Sequence, residues 1–322
     1  MKTLLTKLSM LSLVLMMGLA SCTEEDGVTP NGDTNSVTEL SANARSATQV
    51  NVRWKGGNAT DTLVATANGV EVSRTATIAT DGAYHSAVAG GLTLGTNYVF
   101  TVRNSAGVSA GSITWSPAVR WPGATGEVQI WSTADPSPNH PSGLIIDADG
   151  ITAVSVNGAR KDEVDVVLGT NTNTATPVSL LSPGIDGSGI ITNKRTFFGT
   201  PYNVAGGLDN DYYTAAITSL ISTTGANAYN AVDLARRAVG SEALGTSLII
   251  PFLTDDGHYG RIELVPNATT GQIFTTDASL IESIQVRVSY QTQTNVGYVG
   301  RGTARGPWVR NGFNSANAAM KR

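Results

Sequence analysis

The chain has 322 residues, a formal net charge of −4, charged residues at only 14% and a single cysteine, Cys22. Mild acidity argues against a nucleic-acid partner, which asks for a basic face, and a lone thiol excludes a disulfide framework and a Cys-based zinc site. A composition rich in Gly, Thr, Ser, Asn and Val suits strands joined by tight turns, so the expected fold is mainly β, and the length suggests two domains.

Residues 1–21 have the three parts of an export signal. Lys2 and Lys7 make a positive start, residues 8–20 are an almost unbroken apolar run, and small residues lead to a cleavage point. The run is shorter than the roughly 20 residues of a membrane-spanning helix. With Leu19-Ala20-Ser21 before Cys22, the segment resembles the bacterial lipoprotein signal. The resemblance implies cleavage before Cys22 and acylation of its thiol, with Leu19, Ala20 and Ser21 read by the processing enzyme. Loss of Lys2 and Lys7 with the signal leaves a formal charge of −6. Thr23-Glu24-Glu25-Asp26 then opens an acidic, flexible tether over residues 22–35. This is similar to the signal that sends many lipoproteins of the Bacteroidota to the outer face of the outer membrane. The other reading is that the acids keep the tether solvated and extended.

Residues 36–116 alternate. Gln49-Val50-Asn51-Val52-Arg53-Trp54 and Tyr98-Val99-Phe100-Thr101-Val102-Arg103 switch between apolar and polar at period two, as half-buried strands do. Gly56-Gly57-Asn58, Asn68-Gly69, Asp81-Gly82, Gly90-Gly91 and Ala106-Gly107 mark the turns between them. Short strands at this spacing predict a β-sandwich. The run Leu92-Thr93-Leu94-Gly95-Thr96-Asn97-Tyr98, with Trp54 on the second strand, resembles a fibronectin type III domain, although Leu94 stands where that family usually has proline. The resemblance implies that Trp54 is the central core tryptophan and that Tyr98 is a tyrosine corner, its hydroxyl bonded to backbone a few residues upstream. It implies little chemistry, and the domain reads as a stalk for the C-terminal part of the chain. His85 reads as a surface or half-buried histidine, not a ligand.

Residues 117–299 are expected to form a larger β-rich α+β domain and to carry the binding function. Pro117 and Pro122 stiffen the junction. Strand-like runs lie at 127–131, 142–146, 164–168, 247–250, 259–265 and 284–290. Asp209 could cap a helix carrying Tyr212, Ala216 and Leu220, and residues 226–239 make a second helix candidate ending at Gly240. Trp115, Trp121 and Trp131 are either core or an aromatic platform for sugar rings. Thr254-Asp255-Asp256-Gly257-His258-Tyr259 resembles a hairpin common in β-rich lipoproteins of the Bacteroidota, a haem-binding family among them. Haem capture there relies on paired histidines, and only His140 and His258 are available, so no cofactor is expected. Trp121, Trp131, His258 and Tyr259 are the candidate ligand-binding residues.

Catalytic and metal patterns are weak. Asp147/Asp149, Asp209/Asp211 and Asp255/Asp256 are acidic loops, but none continues into a twelve-residue calcium loop, and no metal is expected. Glu127, Asp165, Glu263 and Glu282 lie on or beside strands, and a glycosidase would need two such carboxylates across a cleft. No Gly-x-Ser-x-Gly occurs. Residues 300–322 form a basic tail, with Arg301, Arg305, Arg310, Lys321 and Arg322 and no acid. The expectation is a lipid-anchored surface binding or adhesion protein whose partner is an extracellular polysaccharide or protein. A glycan-degrading hydrolase and a structural surface-layer component are the alternatives.

Overall fold

The computed structural model describes residues 36–121, 127–133, 139–170, 178–184, 194–213, 217, 221, 231–234, 246–276 and 282–299. The expected signal and tether, Leu19 to Cys22 included, and the basic tail lie outside them. Among the described residues no helix is long and apolar enough to cross a membrane.

Eight strands build the first part: β1 (Val37–Ser46), β2 (Gln49–Gly56), β3 (Thr62–Ala67), β4 (Val70–Thr75), β5 (Ala79–Asp81), β6 (Tyr84–Ala89), β7 (Tyr98–Arg103) and β8 (Ser109–Trp115). They form two antiparallel sheets, ordered β1-β2-β6-β5 and β4-β3-β7-β8. Alternation decides which side chains go inward. Val50, Val52 and Trp54 of β2 meet Leu63 and Ala65 of β3 and Phe100 and Val102 of β7 in one apolar cluster, while Asn51 and Arg53 point to the other face. The β-sandwich expected over this stretch is present. Asn68 and Gly69 turn β3 into β4 with φ of +50° and +80°, the left-handed pair such a hairpin needs. Tyr98 is buried, and its hydroxyl accepts the Thr93 N–H at 2.9 Å, which ties the corner before β7. Trp54 is fully buried, beside the ring of His85.

Thirteen further strands complete the fold: β9 (Val119–Trp121), β10 (Val128–Trp131), β11 (Gly143–Ile146), β12 (Ile151–Val154), β13 (Val166–Thr170), β14 (Val178–Leu181), β15 (Thr196–Phe198), β16 (Tyr202–Ala205), β17 (Ala231–Asp233), β18 (Thr246–Thr254), β19 (Tyr259–Val265), β20 (Thr275–Thr276) and β21 (Glu282–Tyr290). An eight-stranded sheet runs β10-β21-β19-β18-β15, with β16 on β18 and β9 and β20 on β21. A five-stranded sheet runs β12-β11-β13-β14-β17. Ile250, Phe252, Ile262, Leu264, Val286 and Val288 on one face of the larger sheet pack with Leu144, Val166, Leu168 and Leu180 of the smaller. Burying each such side chain is worth about 1.5–3 kcal/mol.

The opposite face of the larger sheet turns towards the sandwich. Tyr202, Val204 and Ile249 belong to the same hydrophobic cluster as Val52, Trp54 and Phe100. The junction at Ser116-Pro117 is thus a change of sheet across which the apolar core continues, and the described residues lie in one compact unit. The sandwich is packed onto the eight-stranded sheet, not joined to it by a linker alone.

The two helix candidates lie only partly within the described residues, and what is described of them is not α-helical. Asp209 lies in a 3-10 turn (Gly207–Asn210), and Tyr213 leaves that turn in extended form, exchanging backbone bonds with Ala42. Within 226–239, β17 pairs with β14. Among the described residues the helical positions are this turn, a second 3-10 turn, Lys161–Glu163, and Ile217, also in 3-10 form.

Candidate functional site

The face of β19 and β21 that looks towards the sandwich is polar. It carries Arg261 and Glu263 beside Ser289 and Arg287, because these residues alternate with the apolar ones just described. Residues 206–213 lie against it. Gly206 and Gly207 have φ of +78° and +60°, a left-handed pair, and a Cβ on Gly207 would run into the Glu263 carboxyl group. Glycine is required there on both counts. Beyond the turn, Asp211 pairs with Arg261, and both are fully buried. The Tyr202 hydroxyl donates to the same carboxylate at 3.0 Å. Burial works against the charge on Arg261, but Asp211, Tyr202 and Tyr213 together outweigh it and hold its pKa above the ordinary value.

Arg120 on β9 completes the seam. Its guanidinium donates to the carbonyls of Ala44 (2.8 Å) and Leu208 (2.6 Å), to Asn43 Oδ1 (2.6 Å) and to Asp209 Oδ1 (2.7 Å). Burial, with the like charge of Arg261 behind it, pulls its pKa down to about 10. Asn43 Nδ2 donates to the carbonyls of Leu208 and Asp209 at 2.9 and 3.0 Å. Two side chains therefore clamp the 207–210 turn onto β1. Buried ion pairs of this kind add little net stability over apolar packing, and breaking one is costly. Their effect here is positional: they fix the segment carrying Asn210 and Tyr212 beside the outer face of the β1-β2-β6-β5 sheet.

That placement makes a groove. Arg53, Asp81, Tyr84, His85, Ser86, Ala205, Asn210 and Tyr212 line a hollow of about 210 Å³. The Arg53 guanidinium sits 3.9 Å from the ring centre of Tyr84 and 5.7 Å from that of Tyr212. Asn51 Nδ2 donates to the Tyr212 hydroxyl at 2.5 Å, while Asn51 Oδ1 is buried without a partner. The Tyr84 hydroxyl donates to Glu39 at 2.6 Å. A second hollow of about 230 Å³ adjoins the first, sharing Ser86 and lined by Arg45, Asn51, Thr77 and Val88 among others. Aromatic faces with a few fixed polar groups around a concavity are the ordinary make-up of a small-molecule or saccharide site.

The residues singled out by sequence are dispersed. Trp115 is fully buried in the sandwich core. Trp121 pairs with Val288 and Trp131 with Ser283, which places them on opposite faces of the eight-stranded sheet, since Val288 lies in its core and Ser283 alternates with it. The three tryptophans therefore share no platform. Trp131 stacks on His140, ring centres 4.0 Å apart. His258 donates from Nδ1 to the Gln291 carbonyl at 2.9 Å and tilts over Tyr290. It sits at the other end of β21 from Trp131 and His140, on the order of 20 Å away along the strand, so the two histidines are not brought together. Tyr259 packs half-buried against the sandwich-side cluster.

The Thr254–His258 run is a hairpin turn, with the Gly257 N–H on the Thr254 carbonyl and the Thr254 N–H on that of His258, both at 3.0 Å. Asp147 Oδ1 accepts the N–H groups of Asp149 and Gly150, and among the described residues no three His, Cys, Asp or Glu side chains are grouped to hold a metal. Glu263 is buried in the polar seam. Asp165 lies in the smaller sheet's layer, bonded to Lys194 at 2.6 Å. The apolar core between the two sheets separates them, so these two carboxylates do not face each other across a cleft.

The groove residues were legible only in part. Alternation already put Asn51 and Arg53 on the outward face of β2. What could not be read was that Tyr212, 159 positions after Arg53, would close over them, because a 3-10 turn and the Arg120 clamp bring it there. No protein-family model matches this sequence, and no curated protein matches it.

Proposed function

We propose that this is a lipid-anchored surface binding protein that takes an extracellular saccharide in the groove between its sandwich and its eight-stranded sheet. Leu19-Ala20-Ser21-Cys22 and the acids after it support acylation of Cys22 and a place on the outer face of the outer membrane. The likeness of residues 36–116 to fibronectin type III domains, which mostly present or bind, fits the same reading. One observation carries it: two tyrosine rings and a guanidinium surround a solvent-open hollow rimmed by amide and hydroxyl groups. Ring faces pack against the apolar face of a sugar, and the rim groups bond its hydroxyls. The reading is of binding without turnover.

The test is thermal unfolding of the full chain in detergent against a panel of polysaccharides. A ligand at a hundred times its Kd adds about 2.7 kcal/mol. The shift should appear with at least one saccharide and disappear in Tyr84→Ala, whose ring stands at the surface of the groove. A shift retained in both Tyr84→Ala and Tyr212→Ala places the saccharide elsewhere and refutes the groove. In cells, Cys22→Ser should release the protein from the membrane fraction.

A further inference from the structure

Resting on that reading, we infer that the groove is built for an acidic saccharide, one bearing carboxylate or sulfate groups, with Arg53 and Arg45 as its anion-binding residues. Arg53 stacks on Tyr84, and a stacked guanidinium keeps its N–H groups in the plane of its edge, where they match the two oxygens of a carboxylate or sulfate. Those groups are not used by the protein: neither the Arg53 nor the Arg45 guanidinium forms a hydrogen bond or ion pair among the described residues.

The nearby carboxylates do not supply the missing anion. Glu39 is engaged by Lys55 at 2.9 Å and by the Tyr84 hydroxyl. Asp81 is the one carboxylate lining the groove among the described residues, against two guanidiniums. The charges of Arg45 and Arg53 both reach Tyr212, opposing the rise in its pKa that burial causes, and the Arg53 guanidinium lies 5.7 Å from its ring centre. Elsewhere in the molecule the arginines of the seam are matched: Arg120 to Asp209, Arg261 to Asp211, Arg287 to Glu263. Arg45 and Arg53 depart from that pattern where the surface is concave. The shared Ser86 wall lets a linear chain run through both hollows.

The experiment compares polygalacturonate with the same polymer fully methyl-esterified, and chondroitin sulfate with dextran, by calorimetric titration of the full chain. The acidic member of each pair should bind at least about tenfold tighter, and more weakly as NaCl rises from about 50 to about 500 mM, because a partly exposed charge contact is screened. Arg53→Gln and Arg45→Gln should each lose about tenfold while melting within about 2 °C of wild type. Arg53→Lys should recover only part, since an ammonium lacks the fork. Binding of polygalacturonate alone assigns the anion as a carboxylate, and of chondroitin sulfate alone as a sulfate. Equal binding of charged and neutral members, unaffected by either arginine variant, overturns the inference and leaves the groove reading standing. No binding of any polymer, or binding untouched by Tyr84→Ala, overturns both.

Discussion

The seam between sandwich and sheet can be tested at Arg120. Replacing it with Met keeps most of the side-chain volume and removes every donor. The Leu208 carbonyl retains Asn43 Nδ2 as a partner, but the Ala44 carbonyl and Asn43 Oδ1 lose the guanidinium, and Asp209, more than half exposed, falls back on water. Each buried acceptor left unsatisfied costs about 1–3 kcal/mol. Relief of the repulsion between Arg120 and Arg261 returns some of this. The expected loss is about 3 kcal/mol, at the lower end of what breaking a buried charged contact costs. For a folded unit of this size that lowers Tm by about 5 °C. Urea unfolding followed by tryptophan fluorescence reads it, since Trp54 and Trp115 are fully buried in the adjoining cluster. Arg120→Lys keeps the charge but cannot span four acceptors, and should lose about half as much. A loss under about 1 kcal/mol for Arg120→Met would refute the argument that this guanidinium clamps the 207–210 turn to β1.

Two further outcomes rest on the same geometry. Burial pushes Asp165 up to about 6, against the pull of Lys194 2.6 Å away. Its folded pKa lies above its unfolded one of about 4, so the folded state holds the proton more tightly. Its contribution to stability is full below about pH 4 and gone above about pH 6, a fall of about 3 kcal/mol as pH rises. The stability difference between wild type and Asp165→Asn, taken by calorimetry from about pH 3.5 to 7, should slope downward through that window; a flat difference sinks the assignment. Tyr98→Phe removes the acceptor of the Thr93 N–H and should cost about 1 kcal/mol with the sandwich intact, read as a Tm lower by about 2 °C. An unchanged Tm would mean that the corner is held by packing alone.

Period-two alternation in residues 49–54 and 98–103 was enough to place Trp54, Phe100 and Val102 in a sandwich core, and Asn68-Gly69 to place a hairpin, because the information for a strand face or a two-residue turn is local. The same local reading expected helices over 209–220 and 226–239, and in the described stretches 209–213 and 231–233 no α-helix forms. There the spacing of apolar residues suits a helix, and pairing with Ala42 and with β14 prevailed instead, since edge strands of two sheets were open to receive them. The groove belongs to the second kind of information. Nothing in the spacing of Arg53, Tyr84 and Tyr212 says that they meet. They meet because Asn43 and Arg120 hold a left-handed glycine turn against β1, a contact across 165 positions of chain. Strand and turn are written in short runs of residues. Which outward-facing side chains end up around one hollow depends on how two sheets stack, and stacking is settled by long-range burial and by the few buried charges that must find partners when it occurs.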